Sequence, residues 1–166
     1  MSEKENIYST LNAHEARVAL FAGSFDPFTR GHKDIVDRAL RLFDKVIVCV
    51  GVNAAKLAAD PHLRDTIESR ASAIAAVYRD QPRVEAIVSD ELTVDTARRT
   101  GARYLLRGVR SVRDFEYERD MADLNARLAP DIETVVLFSA PELSCISSSA
   151  VRDIASHGGD INSFLP

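Results

Sequence analysis

Apolar runs of strand length alternate with stretches of helical period along almost the whole chain, and that alternation leaves few folds open to it. Val18-Ala19-Leu20-Phe21-Ala22 stops at Gly23, after which Ile35, Ala39, Leu40 and Phe43 recur at helical spacing over residues 34–43. An apolar strand over 45–50 follows, and a helix over 65–79 carries Ile67, Ala71, Ile74, Ala75 and Tyr78 on one face. Strands over 83–88, 104–106 and 134–138 then alternate with helices over 92–100, 114–128 and 147–156. Successive βαβ units predict a parallel sheet, since a crossover helix is what returns the chain to start each next parallel strand. The expectation is an α/β fold with a five-stranded parallel sheet and helices on both faces, in one domain over residues 16–166. Residues 1–15 are polar and lack a clean period, so they read as an extension outside that domain. Residues 53–62 and 141–145 read as longer loops, and no internal repeat or linker interrupts the pattern.

Composition bounds the partners. The chain is 46% hydrophobic and 28% charged, which suits one domain with a real core. Its net charge of -4 and pI near 5.6 give no overall basic field to hold nucleic acid, so any anion site must be local. Cys49 and Cys145 lie in apolar stretches without metal or redox spacing, and both are expected to be small buried residues. No apolar run approaches the ~20 residues of a membrane span. The N-terminus also lacks the apolar centre of a secretory signal. A soluble, cytoplasmic protein without membrane or nucleic-acid partners is expected.

Open parallel sheets bind ligands beyond the carboxyl ends of their strands, which here gathers the loops beginning at Gly23, Gly51, Arg107 and Ser139. The first loop reads Gly23-Ser24-Phe25-Asp26-Pro27-Phe28-Thr29-Arg30-Gly31-His32. Gly23 permits close backbone approach, Ser24 offers a hydroxyl, Asp26-Pro27 turns the chain and Gly31 clears the helix entry. The free N–H groups and dipole of that entry favour an anion. His32 can donate an imidazole N–H to a phosphate oxygen with Thr29 on the same side; taken alone, it reads equally as an exposed histidine on a capped helix. Arg107 and Arg110 follow a short strand and suit phosphate through paired guanidinium donors, with surface salt bridging as the plainer alternative. Lys56 is the one lysine in the loop after the second strand; a flexible ammonium can follow a phosphate, and alone it would be a solvated surface residue. In Ile146-Ser147-Ser148-Ser149, serine hydroxyls and helix N-terminal amides converge as a cap and an anion cradle. Tyr117 and Glu118 read by themselves as helix-surface polarity, and His14, His62 and His157 as surface residues.

Taken together and in this order, the segments resemble the nucleotidyltransferase superfamily with its T/HxGH signature, and within it the bacterial phosphopantetheine adenylyltransferases. The likeness runs from about residue 17 to residue 166. It rests on the first loop, Arg107-Gly108-Val109-Arg110, Asp114-Phe115-Glu116-Tyr117-Glu118, Asn125 and Ile146-Ser147-Ser148-Ser149. It implies a Rossmann-like nucleotidyltransferase fold and transfer of the adenylyl group of ATP to 4'-phosphopantetheine, giving dephospho-coenzyme A and pyrophosphate. The attacking group is already a phosphate anion, so neither a general base nor a covalent intermediate is needed, and the protein aligns reactants and stabilises charge.

The resemblance also implies site residues. His32, Lys56 and Arg107 would be catalytic, His32 on the α-phosphate, Lys56 on that group and the attacking phosphate, Arg107 on the acceptor. ATP would be held by Ser24, Phe25, His32, Gly108, Val109, Arg110, Glu118, Leu143, Ser144, Cys145, Ile146, Ser147, Ser148 and Ser149. The acceptor would meet Ser24, Lys56, Thr93 and Arg107. Leu92, Thr93 and Val94 resemble the family's pantetheine-arm region, although Leu92 reads first as helix-start core. Mg2+ is expected to arrive with ATP on phosphate and water rather than in an all-protein cage. The family further implies a homohexamer and coenzyme A as a feedback inhibitor at the same site. Leu57-Ala58-Ala59-Asp60-Pro61-His62 is longer and less basic than the family's pattern, and the chain ends at Pro166 where family members continue into a further helix.

Two other readings stay open on the sequence. One is a sister enzyme, a nicotinate mononucleotide adenylyltransferase or a cytidylyltransferase. Cytidylyltransferases favour an Arg-Thr-x-Gly-Ile-Ser-Thr-Thr segment where this chain has Leu143-Ser144-Cys145-Ile146-Ser147-Ser148-Ser149. The other is a catalytically silent nucleotide-binding regulator, against which an intact His32 argues.

Overall fold

The computed structural model describes residues 15–52 and 63–166. Its five strands are β1 (Val18–Gly23), β2 (Lys45–Gly51), β3 (Val84–Ser89), β4 (Tyr104–Val109) and β5 (Glu133–Phe138). They form one sheet in the order β3-β2-β1-β4-β5, with every neighbouring pair parallel. The connecting helices are α1 (Arg30–Ala39), α2 (Leu63–Val77), α3 (Thr93–Thr100) and α4 (Val112–Leu128), and α5 (Ser148–Ser156) follows β5. This is the α/β architecture that the alternation predicts.

Each face of the sheet builds its own core. Val46, Val48, Val50, Phe21 and Leu106 pack against Ile35, Val36 and Ala39 of α1 and Ile67 and Ile74 of α2. Leu20, Ile47, Cys49 and Leu105 pack against Val94 and Ala97 of α3 and against Ala129 and Ile132 beyond α4. With helices on both faces, the inner strands read as continuous apolar runs rather than alternating ones. Leu20, Ile47 and Leu105 are essentially solvent-free, and each such side chain contributes on the order of 2 kcal/mol. Among the described residues, no helix is long and apolar enough to cross a membrane.

Several boundaries differ from the sequence expectation. α1 begins at Arg30 rather than 34, because Thr29 and His32 form a reciprocal capping box around Gly31. It stops at Ala39, and Phe43 stays buried through the turn that follows, its N–H donating to the Ala39 carbonyl at 2.9 Å. Ala75 is exposed, so the buried face of α2 is narrower than the apolar period suggested. β4 continues through Arg107, Gly108 and Val109, which pair with Val136, Leu137 and Phe138. Leu92 is 61% exposed instead of joining the core. Cys49 is buried as expected, whereas Cys145 is exposed, because it lies just after a 3-10 turn at Pro141–Leu143 and not in a strand or helix.

The order of the strands places a switch point beside β1. The chain runs from β1 outward to β2 and β3, then crosses back to β4 on the opposite side of β1. At that junction the ladder is short. β1 pairs with β4 only at Ala19↔Tyr104 and Leu20↔Leu105, while β1–β2 pairing reaches Gly23↔Val50 and β4–β5 pairing reaches Val109↔Phe138. The two halves of the sheet therefore part above Leu20, and the crevice opens at the strands' carboxyl ends.

Candidate active site

Two cavities open at this crevice. One, of about 450 Å³, is lined by Ser24, Phe25, Thr29, Gly31 and His32 from the first loop and the start of α1. Arg107, Gly108, Arg110, Arg113, Asp114, Tyr117 and Glu118 line it from β4 and α4, and Ser139, Ile146, Ser147, Ser148 and Ser149 from the last segment. The other, of about 430 Å³, shares Ser24, Arg107, Tyr117 and Glu118 and adds Gly51, Glu91, Thr93, Met121 and Asn125. Loops far apart in sequence thus meet at two neighbouring spaces with a common wall.

His32 is held in one orientation and one tautomer. The Thr29 amide donates to its Nδ1 at 3.0 Å, the Thr29 hydroxyl lies 3.1 Å from the same nitrogen, and the His32 amide donates to Thr29 Oγ1 at 3.4 Å. A backbone N–H can only donate, so Nδ1 is the acceptor and the neutral ring carries its proton on Nε2. Phe28 stacks on the imidazole at 5.5 Å between ring centres, and Phe25 meets it edge-on at 5.1 Å. Burial, followed by the nearby charge of Arg110, lowers its pKa to about 4. The side chain is consequently a neutral donor at physiological pH.

Phe25 reaches this place through a backbone that L-residues seldom adopt, with φ at 43°. Its ring folds back over Gly23, where an added Cβ would stand 3.1 Å from Phe25 Cζ. The loop is also tied from two helices. Arg70 of α2 donates to the Ser24 carbonyl at 3.3 Å and lies 3.2 Å from the Asp26 carboxylate. Arg152 of α5 donates to the Asp26 carbonyl and sits near the same carboxylate. The Ser148 hydroxyl donates to the Pro27 carbonyl at 2.9 Å. Arg70 Nε is buried without an acceptor, a cost on the order of 1–3 kcal/mol that its other contacts offset.

Arg107 stands in the wall between the cavities. Its Nε and Nη2 donate to the two oxygens of Glu118 at 2.5 and 2.6 Å, and its Nη1 donates to the Ala22 carbonyl at 2.7 Å, across the gap where the β1–β4 ladder has ended. Glu118 is 8% exposed, so its carboxylate is engaged by Arg107 rather than open to solvent. Three of five guanidinium N–H groups are used, and two remain for a ligand. Gly108, next along β4, faces α1, and a Cβ there would approach Ile35 Cγ1 to 3.1 Å. Arg110 is paired with Asp114 at 3.0 Å. At the start of α5, the Ser147 hydroxyl caps the Ala150 amide at 3.1 Å, leaving the Ser148 and Ser149 amides without intrahelical acceptors.

The remaining expected residues fall elsewhere. Thr93 lines the second cavity with Asn125. Val109 is buried in β4 and borders an apolar groove with Val112, Phe115 and Phe138. Leu143, Ser144 and Cys145 form the turn behind the serine run and do not line the first cavity. Lys56, His14 and His62 lie outside the described residues, and His157 is exposed. The sequence gives no role to Arg70, Arg113 or Arg152. Their contacts or placement depend on residues distant in the chain, and nothing local marks them apart from other helix-surface arginines.

Comparison with known proteins places this arrangement. Residues 20–154 match the cytidylyltransferase-like family. The phosphopantetheine adenylyltransferase of Porphyromonas gingivalis is 50% identical over 149 residues, covering 90% of this chain and 94% of that protein. That of Bacteroides thetaiotaomicron is 44% identical over 150 residues, covering 90% and 95%. The chain belongs to the phosphopantetheine adenylyltransferase family. Its fold is also that of a bifunctional NMN adenylyltransferase/ADP ribose pyrophosphatase from Francisella tularensis, with a TM-score of 0.62 at 16% identity over 91% of this chain and 45% of that one. In this phosphopantetheine adenylyltransferase family member the two cavities meet at one wall that includes Ser24, Arg107, Tyr117 and Glu118.

Proposed function

We propose that the protein transfers the adenylyl group of ATP to 4'-phosphopantetheine, giving dephospho-coenzyme A and pyrophosphate. The observation that carries this reading is the pair of cavities joined at Ser24 and the Arg107–Glu118 wall, with the neutral donor His32 lining the nucleotide side. ATP occupies the first cavity, against Ser24, Phe25, Gly108, Arg110 and the serine run. The acceptor extends into the second, along Thr93 and Asn125, and its phosphate meets the free donors of Arg107.

A phosphate oxygen of the acceptor attacks the α-phosphorus of ATP. The bond from that phosphorus to the bridging oxygen of pyrophosphate breaks, and negative charge moves onto the leaving group. His32 Nε2–H stabilises the charge on the α-phosphoryl oxygens, and Arg110 with the Ser148 and Ser149 amides meets the charge on pyrophosphate. The nucleophile arrives ionised, which fits a site whose histidine is a fixed donor and not a base. Lys56 is proposed to touch both the acceptor phosphate and the α-phosphate. Among the described residues, no group of three His, Cys, Asp or Glu side chains could hold a metal ion. Mg2+ is assigned to ATP itself, bound by phosphate oxygens and water, because that ion gives up its water reluctantly.

The same reading makes coenzyme A a feedback inhibitor, since product-like molecules fit the joined cavities. It also makes the protein a cytoplasmic homohexamer, and the exposed apolar groove of Val112, Phe115 and Phe138 is consistent with self-association. Release of pyrophosphate from ATP that depends on added 4'-phosphopantetheine, with dephospho-coenzyme A identified by mass, tests the function. Pyrophosphate release with nicotinate mononucleotide but not with phosphopantetheine would overturn it.

A further inference from the structure

Among the described residues, the net positive charge of the nucleotide cavity rests with a residue outside every motif. The charged side chains lining the cavity are Arg107, Arg110, Arg113, Asp114 and Glu118. Glu118 takes Arg107, Asp114 takes Arg110, and His32 is neutral. Arg113 is left. Among the described residues, no hydrogen bond or ion pair engages it, although Glu116 stands at i+3 on the same helix, a spacing suited to a surface pair.

The position of Arg113 along α4 says which part of a ligand it would meet. Met121, Ala122 and Asn125 line the second cavity alone, Tyr117 and Glu118 line both, and Arg113 and Asp114 line the nucleotide cavity alone. From Asn125 to Arg113 the helix runs about 18 Å. In an in-line displacement the leaving group departs opposite the attacking oxygen. An acceptor at the Asn125 end therefore puts the pyrophosphate at the Arg113 end, beside Arg110.

We propose that Arg113 is a binding residue for the β- and γ-phosphates of ATP and for the departing pyrophosphate. This rests on the two-cavity assignment of ATP and acceptor above. An unpaired guanidinium there supplies the local field that a chain of net charge -4 does not have overall.

The test is calorimetric titration of the full chain and of Arg113→Ala and Arg113→Lys with ATP, AMP and inorganic pyrophosphate, at low salt and at about 0.5 M salt. Circular dichroism confirms that the variants fold. Arg113→Ala is expected to weaken ATP and pyrophosphate roughly five- to tenfold at low salt and less at high salt, and to leave AMP within about twofold. Arg113→Lys is expected to recover most of the loss. Pyrophosphate affinity equal in Arg113→Ala and the unsubstituted protein overturns the proposal, and so does an equal loss for AMP. The function itself is judged separately, since the unsubstituted protein either does or does not turn over ATP with 4'-phosphopantetheine, whatever the Arg113 titrations give.

Discussion

With its Nδ1 lone pair committed to the Thr29 amide, His32 has a single free function, donation from Nε2. Replacing it with alanine is expected to lower kcat by roughly 10²–10³ with a small change in ATP affinity, as for a donor that acts mainly in the transition state; steady-state kinetics with ATP titration check this. The low pKa adds a second expectation. The ring stays neutral in the fold down to about pH 4, whereas in the unfolded chain it protonates near 6.5. The unfolded state then binds more protons between those values, so stability is intact above pH 6.5 and declines as pH falls towards 4. This group accounts for about 3 kcal/mol of that decline. Between pH 7 and pH 4.5 the urea midpoint of the protein should fall by more than that of His32→Gln, which has no group titrating at this position. The acid limb of kcat/KM should likewise show no inflection near 6.5 belonging to His32. The Gly23 to His32 string made this histidine legible in the sequence. Its protonation state was not legible, because the stacking of Phe28 and Phe25 and the approach of Arg110 are matters of tertiary packing.

Among the elements, β4 shows why local reading fell short. Arg107-Gly108 looks like the start of a loop, since a charge and a glycine both weaken a strand. The strand continues because Glu118, eleven residues on, neutralises the arginine, and because Ile35 of α1 fills the space over the glycine. Gly108→Ala is therefore expected to destabilise by about 1–2 kcal/mol through overpacking. Combining it with Ile35→Ala should be less costly than the two single effects added, and denaturant titration of the cycle measures this. The first loop behaves differently. Its turn residues were legible, but the arginines holding it from α2 and α5 were not. Ion pairs this exposed are worth at most about 1 kcal/mol to stability. Asp26→Asn should consequently shift the melting temperature little, yet lower kcat about tenfold or more by letting the loop drift from Ser24 to His32. A variant that loses stability and keeps kcat would reverse that expectation.

At the scale of the whole molecule, sheet and helices followed from hydrophobic period alone, while the surface had to be seen. Val112, Phe115 and Phe138 are 76%, 42% and 64% exposed, at the edge strand β5 and the start of α4. A bare edge beside apolar side chains is ordinarily covered. If the proposed homohexamer forms through this face, sedimentation velocity should show an oligomer for the unsubstituted protein and a monomer for Val112→Glu with Phe138→Glu. The open upper part of the β1–β4 junction has a different bearing. The ladder there is a zipper fastened at its lowest teeth, Ala19↔Tyr104 and Leu20↔Leu105, with the Arg107 side chain laid across the open part as a removable crossbar. Taking the crossbar away should let the crevice between Ala22 and Arg107 spread, while the fastened teeth keep the domain together.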